Sequence, residues 1–231
     1  MPKLTVHVPH ASLHIPEEAW SDFLVERSAV EREALASADL FTDQMAHDAW
    51  PDAKIIEAPV SRIVVDVERY DDDSREEMAT VGRGALYTHD HRQNRIRKDL
   101  SAPRRAELLA RYYAPHWARL SEAAAGATLI DLHTYPLEPW LIERHSDGPR
   151  PEIDIGFTAD LTPAGWVRSL TRHFADAGYD VGLNTPYGGV IDATAKAAVM
   201  IEIRRDVVGR PGADPKWQRL IHVLRNMPLV R

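Results

Sequence analysis

The sequence predicts an α/β fold built on a mostly parallel or mixed sheet. Short apolar stretches rich in β-branched residues alternate along the chain with stretches of helical period. The 231 residues are 44% hydrophobic, enough to bury one sizeable core, so we expect a single domain over residues 1–231. The chain shows no internal repeat and no low-complexity tract.

Composition excludes several classes of site and partner. The chain has no cysteine, so any metal must be held by His, Asp or Glu, and disulfides and a cysteine nucleophile are excluded. Its 35 acidic and 28 basic residues argue against nucleic-acid binding, which usually needs a clustered basic face. No segment reaches about 18 uninterrupted apolar residues, and the start lacks a signal-peptide pattern. We therefore expect a soluble, cytoplasmic protein with no membrane partner.

The first element is a strand that ends in a histidine. Leu4, Val6 and Val8 alternate along it, and Pro9 should end regular pairing, which leaves His10 at the strand's end.

Helical and extended segments are expected next. Residues 16–18 resemble a first helical turn, and a helix is expected over 38–49, where Leu40, Asp43 and His47 recur at helical spacing. Strands are expected over 54–58 and 62–69. The second of these carries charge on both faces, which indicates that its end reaches a polar site.

Residues 70–101 break the alternation with an acidic run, two glycines and a basic patch. A long excursion of this kind is either a lid or binding loop, or a solvated surface loop, and the sequence favours neither.

A helix beginning near Pro103 should carry its apolar stripe as far as Ala124 and be kinked by Pro115. Its buried side includes His116, which we expect to be a hydrogen-bonded core histidine rather than a ligand.

The stretch Ala127–Pro136 predicts a buried strand that presents an imidazole. If it stays extended, Leu129, Asp131 and His133 share one face. Open α/β sheets bind ligands at the carboxyl ends of their strands.

The remaining segments complete the alternation. Strands are expected over 153–157, 179–183 and 197–204, with helices from about 162 to 178 and from 215 to 226. The segment Asn184–Gly189 is a turn-rich loop of the kind that lets backbone approach a ligand. Glu202 lies within the apolar strand 197–204, where a carboxylate is costly unless it is paired or functional.

Two strand-end histidines, His10 and His133, suggest a metal site. Two imidazoles and one carboxylate with an open fourth position are a common catalytic zinc arrangement. For the carboxylate, Asp43 competes with Asp39 and Glu17, and we select Asp43.

Such a site would perform metal-assisted amide or ester hydrolysis, with Glu202 taking a proton from water. Asp131 is a candidate to orient His133, the alternative being a hydrogen bond to nearby backbone. No G-x-S-x-G, H-E-x-x-H, P-loop or dinucleotide motif is present.

Seven motifs follow one another along nearly the whole chain: VPHAS at 8–12, ADLFTD at 38–43, SRIVVDVER at 61–69, YYAPHW at 112–117, IDLHTYP at 130–136, NTPYGG at 184–189 and IEIRR at 201–205. Together and in this order they resemble the N-formylglutamate amidohydrolase family. The resemblance implies a phosphorylase/hydrolase-like three-layer α/β/α fold with a mixed central sheet, akin to zinc carboxypeptidases. It implies hydrolysis of N-formyl-L-glutamate to formate and L-glutamate at the end of histidine breakdown.

The resemblance also supports His10 and His133 as ligands of a divalent metal, with zinc the leading candidate, and Glu202 as the general acid/base. Two departures concern the substrate. Family members often read PHSG where this chain has PHAS at 9–12, and DLNR where it has DVER at 66–69. The acid in the latter, Glu68, could alter which acyl-amino acid fits.

A small acidic N-acyl amino acid would need cationic partners. We expect Arg62, Arg69 and Arg204 to bind its carboxylates, because a guanidinium pairs with them bidentately. Asn184 would bind the α-carboxylate or the amide. The alternative for each arginine is an ion pair within the protein.

Two other functions are compatible with the sequence: a related zinc peptidase or cell-wall amidase acting on a larger substrate, and a metal-free binding protein of the same fold. The sequence leaves the oligomeric state open.

Overall fold

The computed structural model describes residues 3–143 and 148–230. Its central feature is a six-stranded mixed sheet in the order β2-β1-β3-β6-β4-β5. The strands are β1 (Leu4–Val8), β2 (Lys54–Glu57), β3 (Thr128–Tyr135), β4 (Ile153–Gly156), β5 (Val181–Leu183) and β6 (Ala197–Arg204). Every neighbouring pair is parallel except β4 and β6, which run antiparallel. The predicted α/β class with a mixed sheet is confirmed.

In the part of the chain that the structure describes, seven α-helices connect and cover the strands: α1 (Arg27–Ser37), α2 (Thr42–Ala49), α3 (Ala102–Leu108), α4 (Ala114–Ala124), α5 (Ala164–Asp176), α6 (Arg205–Val208) and α7 (Pro215–Arg225). Short 3-10 helices lie over Glu17–Asp22 and Glu77–Val81. Within the described residues, no helix has the length and apolar content needed to cross a bilayer.

The helices form a layer on each face of the sheet. On one face, Val6, Ile130 and Val199 pack in one apolar cluster with Met45 of α2 and Trp217 of α7. On the other face, Leu129 and Ala198 pack against Leu120 and Ala124 of α4. Because side chains alternate along a strand, His7, Asp131, His133 and Glu202 all lie on the α4 side.

The predicted strand over 62–69 is wrong. Residues 61–69 form turns, in which Val64 N donates to Ser61 O and Asp66 N donates to Ala85 O. Its valines are buried in a second apolar cluster under α1 and α3, so the alternation reflected burial on several sides rather than sheet pairing.

The predicted helix over 38–49 is too long at its start. Residues 38–41 form a loop with Phe41 in the left-handed region at φ 69°, and α2 begins only at Thr42. The helix α1 before it was not predicted. Its buried face includes Glu33 and Ser37 beside Val30 and Ala34, which weakens the apolar period.

The helix predicted from Pro103, with a kink expected at Pro115, changes its geometry shortly before that proline. A π-helical turn over Leu109–Tyr113 separates α3 from α4, and Pro115 is the second residue of α4. Proline has no N–H to donate and clashes with the preceding turn, and the wider turn accommodates it.

The centre of the 70–101 segment is anchored to the protein rather than solvated. Arg83 is buried and donates from Nη1 to Glu33 Oε1 of α1 at 2.7 Å. His91 Nδ1 lies 2.6 Å from Glu33 Oε2, and Tyr87 and Ile96 are also buried.

Candidate metal centre and active site

His10, Asp39 and His133 converge at the carboxyl ends of β1 and β3. Asp39 Oδ2 lies 3.4 Å from His10 Nδ1 and 3.2 Å from His133 Nδ1, and all three residues are buried. One ligand atom from each lies within 4.8 Å of the others. His10 Nδ1 is buried and has no hydrogen-bond partner among the described residues. Two imidazoles and one carboxylate are a donor set that suits zinc.

The loop before α2 delivers Asp39 to this point. Asp39 N donates to His10 O at 2.9 Å, so the loop runs beside the end of β1. Asp43, selected from the sequence as the third ligand, lies in the first turn of α2 and is exposed. The structure therefore brings the competing candidate Asp39, not Asp43, to the two histidines. The cause is the start of α2, which turns residue 43 outward.

A second ring of carboxylates faces the Nε2 atoms of the same histidines. His10 Nε2 lies 3.0 Å from Asp66 Oδ1. His133 Nε2 lies 3.1 Å from Asp131 Oδ1 and 3.2 Å from Glu68 Oε1. Neither contact of His133 Nε2 has hydrogen-bond geometry, so both are ion-pair contacts, and Asp131 is the nearer of the two carboxylates, as its predicted orienting role requires. Histidines that bind metals usually present their other ring nitrogen to such an acceptor.

The electrostatics of this group favour a cation. Burial raises the pKa of Asp39, but the neighbouring imidazoles of His10 and His133 outweigh burial and hold this pKa below its ordinary value. Against the effect of burial, Glu68 and Asp131 raise the pKa of His133 well above its ordinary value. Carboxylates that stabilise an extra proton on an imidazole would also stabilise a metal ion between the same side chains.

Asp66 is the hub of a buried hydrogen-bond network beside the centre. Its carboxylate accepts from Arg62 Nη2 at 2.8 Å, from Tyr87 Oη at 2.6 Å and from the backbone N–H of Glu68 at 3.1 Å, in addition to the contact with His10. Burial opposes its ionisation, but Arg62 and His10 hold the pKa of Asp66 well below its ordinary value. Asp66 therefore provides His10 with an ionised acceptor.

Glu202 stands next to His133 in the β3–β6 register. It is 8% exposed, and its Oε2 is buried with no hydrogen-bond partner among the described residues. Burial, followed by the charges of Asp39 and Glu68, raises the pKa of Glu202 to about 8, with His133 opposing the shift. A carboxyl group of this kind can both accept and donate a proton near neutral pH.

The four residues expected to bind substrate are not all brought to the centre. Arg62 and Arg69 lie beside Asp66, whereas Arg204 Nε pairs with Asp206 Oδ1 at 2.7 Å and its Nη1 donates to Arg150 O.

Asn184 is committed to its own loop. Its Oδ1 accepts from the N–H groups of Phe157 at 2.8 Å and Gly189 at 3.0 Å, and its Nδ2 donates to Phe157 O. Its amide therefore holds two loop segments together.

Three residues at the site were not assigned from the sequence. Arg205 donates to Ala38 O at 2.8 Å and lies 3.3 Å from Asp39 Oδ1, which makes it, rather than Arg204, the arginine next to the centre. Glu68 was noted only as a departure from the family pattern. His7 could have been identified as a polar residue alternating with Val6 and Val8 inside a buried strand.

A cavity of about 1200 Å³ lies at the amino end of β1 and beside β2, lined by residues that include Leu4, Trp50 and Arg119. None of its lining residues belongs to the group around His10 and His133. We locate the candidate site by its group of metal-binding side chains and not by the size of a cavity.

Comparison with known proteins gives a consistent picture. A crystal structure of N-formylglutamate amidohydrolase from Ralstonia eutropha JMP134 has a TM-score of 0.81 at 20% identity, covering 98% of this chain and 91% of that one. The gene product Atu2144 from Agrobacterium tumefaciens has a TM-score of 0.74 at 17% identity, covering 98% of this chain and 88% of that one. At these identities the likeness shows the fold. None of the curated proteins compared with this sequence matches it at a significant level.

The sequence itself carries the stronger assignment. The family model described as N-formylglutamate amidohydrolase matches residues 3–208, which include every residue of the group described above. The chain is thus a member of the N-formylglutamate amidohydrolase family, whose enzymes are hydrolases that act on amides.

Proposed function

We propose that this protein is a zinc-dependent amidohydrolase that cleaves a small N-acyl amino acid, with N-formyl-L-glutamate as its leading substrate. The observation that carries this proposal is the convergence of His10, Asp39 and His133 with Glu202 in the adjacent strand position. The reaction, at the end of histidine breakdown, releases formate and L-glutamate.

His10 Nδ1, Asp39 Oδ2 and His133 Nδ1 would hold the ion. Their fit to a metal rests on the orphaned Nδ1 of His10 and on the shared approach of both imidazoles to one carboxylate oxygen. A bound zinc would polarise the scissile carbonyl and lower the pKa of water at the site. Asp39 replaces Asp43 in this assignment on the basis of its contacts.

Glu202 would move the proton. Its unpartnered Oε2 accepts a proton from the attacking water as the new C–O bond forms at the formyl carbon. The same carboxyl group then returns that proton to the amide nitrogen as the C–N bond breaks, which releases the amino group. The raised pKa of Glu202 suits both halves of this exchange.

Arg69 is the arginine that would bind a substrate carboxylate directly. Among the described residues, its buried Nε has no hydrogen-bond partner and lies 3.9 Å from Asp66 Oδ2, and 31% of its side chain is exposed. Arg62 is more fully engaged, since Nε and Nη2 both donate to Asp66 Oδ2. We therefore assign the direct contact to Arg69 and a supporting charge to Arg62.

Burial favours a small substrate over a peptide. His10 and His133 are 2% and 4% exposed, and Glu202 is scarcely more open. A peptidase or cell-wall amidase needs an open cleft that admits chain on both sides of the scissile bond, and these exposures disfavour it.

The test measures formate release from N-formyl-L-glutamate by zinc-loaded protein, with an N-acylated dipeptide as the competing substrate. We expect Glu202→Gln to lower kcat by at least about a hundredfold while bound zinc, measured by metal analysis, stays at the wild-type level. Near-normal turnover by this variant would refute the role of Glu202. Preference for the dipeptide would support the peptidase, and the absence of both zinc and turnover in the wild type would support the binding protein.

A further inference from the structure

A chain of buried polar contacts runs from the centre to α4, on one face of the sheet. Asp131 Oδ1, which faces His133 Nε2 at 3.1 Å, is also 2.8 Å from His7 Nδ1. His7 Nε2 in turn lies 2.8 Å from His116 Nε2 in α4. Three histidines and one aspartate thus connect the centre to the helix that covers β1 and β2.

The burial of this chain is complete. His7 and Asp131 are 0% exposed and His116 is 1% exposed, in a layer otherwise filled by apolar side chains such as Leu129 and Leu120. Polar groups in such a layer cost free energy unless they are hydrogen-bonded, and a pair of leucines would fill the same space without that cost. The arrangement therefore requires a purpose beyond packing.

The hydrogen bonds impose a direction on the chain. An ionised carboxylate only accepts, so His7 must carry its proton on Nδ1 when it faces Asp131. A single proton is then shared between the Nε2 atoms of His7 and His116. This arrangement fixes the ring of His7 at both nitrogens, and it holds Asp131 Oδ1 between His7 Nδ1 at 2.8 Å and His133 Nε2 at 3.1 Å.

We propose that His7 and His116 are positioning residues that hold Asp131 so that His133 keeps its proton on Nε2 and presents the lone pair of Nδ1 to the metal. This inference rests on the proposed metal centre. His116 acts through His7, and neither touches the substrate or the ion. From the sequence we expected His116 to be a hydrogen-bonded core histidine, which agrees with its contacts. The inference adds that these contacts affect the metal centre.

A different use of the same residues is a second ion. His7, Glu68 and Asp131 each offer a ligand atom within 4.8 Å of the others. The 2.8 Å contact between His7 Nδ1 and Asp131 Oδ1 has hydrogen-bond length and geometry, which favours a proton between them. Metal stoichiometry separates the two cases.

The experiment compares the zinc dissociation constant of four proteins by competition with a chromophoric chelator. His116→Leu removes the partner of His7, and His116→Gln keeps an amide group where Nε2 stands. His173→Leu is the matched control, a helical histidine whose Nε2 lies 2.9 Å from Val223 O, on the opposite face of the sheet. We expect roughly tenfold weaker zinc binding for His116→Leu, recovery to within about twofold for His116→Gln, and wild-type affinity for His173→Leu.

Several outcomes would decide against the inference. Wild-type zinc affinity in a folded His116→Leu would overturn it and leave the proposed function intact. Two zinc ions per wild-type chain, with one lost in His7→Leu, would replace positioning by ligation. If His116→Leu does not fold, His116→Asn, which is too short to reach His7, carries the same expectation. No zinc binding by the wild type would overturn the proposed function as well.

Discussion

Acid should destabilise this protein partly through His116. Burial, followed by the charges of His7, Arg119 and His10, lowers the pKa of His116 from 6.5 to about 3, and the backbone of Glu57 opposes the shift only weakly. Below about pH 6.5 the unfolded chain binds a proton that the folded protein rejects. The stabilisation from this group is therefore present above pH 6.5 and is lost as the pH falls towards 3.

The size of this destabilisation follows from the difference between the folded and unfolded pKa values of His116. Each pH unit between the two pKa values is worth about 1.4 kcal/mol, so at about pH 4.5, two units below the unfolded value, His116 should have cost about 3 kcal/mol of the free energy of unfolding. His116→Gln cannot titrate. The difference in unfolding free energy between wild type and variant should therefore change by about 3 kcal/mol, in the variant's favour, between about pH 7 and about pH 4.5.

Urea unfolding followed by circular dichroism at the two pH values measures this difference. Leu120→Ala is the control, because Leu120 is a fully buried neighbour in α4 that does not titrate. Its destabilisation of about 2–5 kcal/mol should be the same at both pH values. If the gap between wild type and His116→Gln is independent of pH, His116 is not held neutral by its surroundings, and the reasoning fails.

Two further predictions concern the arginines and their hub. Asp66→Asn keeps the shape of the side chain but removes the buried negative charge that pairs with the part-buried guanidinium of Arg62, so we expect the free energy of unfolding in urea to fall by about 3–5 kcal/mol. A loss below about 1 kcal/mol would contradict the network. Arg69→Met should raise KM for N-formyl-L-glutamate at least about tenfold with little change in kcat. Arg204→Met, which removes contacts with Asp206 and Arg150 away from the centre, should leave both constants near wild type, and equal effects of the two variants would refute the assignment of Arg69.

The parts of the fold that the sequence predicted well are those determined by local pattern. The apolar runs that became β3 and β6 are buried along nearly their whole length, and the period of two placed Asp131 and His133 on one face as observed. The placement of Glu202 followed from the same logic. A carboxylate inside such a strand is costly, and the structure sets it beside His133.

The parts that failed depend on contacts between distant segments. Asp39 and Asp43 are equally acidic and four residues apart, and only the left-handed Phe41 and the hydrogen bond from Asp39 N to His10 O decide which one reaches the histidines. The segment that carries Asp66 alternates like a strand, yet it follows turns because its valines are buried against other helices. His7 was overlooked because its partner His116 lies 109 residues away.

The assignment of Asp39 is the step on which the account of the metal centre depends. Metal analysis of wild type, Asp39→Asn and Asp43→Asn, each purified without chelator and assayed for formate release, tests it most directly. We predict about one zinc ion per chain in the wild type and in Asp43→Asn, both active on N-formyl-L-glutamate, and loss of both zinc and activity in Asp39→Asn. Zinc and activity retained in Asp39→Asn, or lost in Asp43→Asn, would contradict the proposed centre.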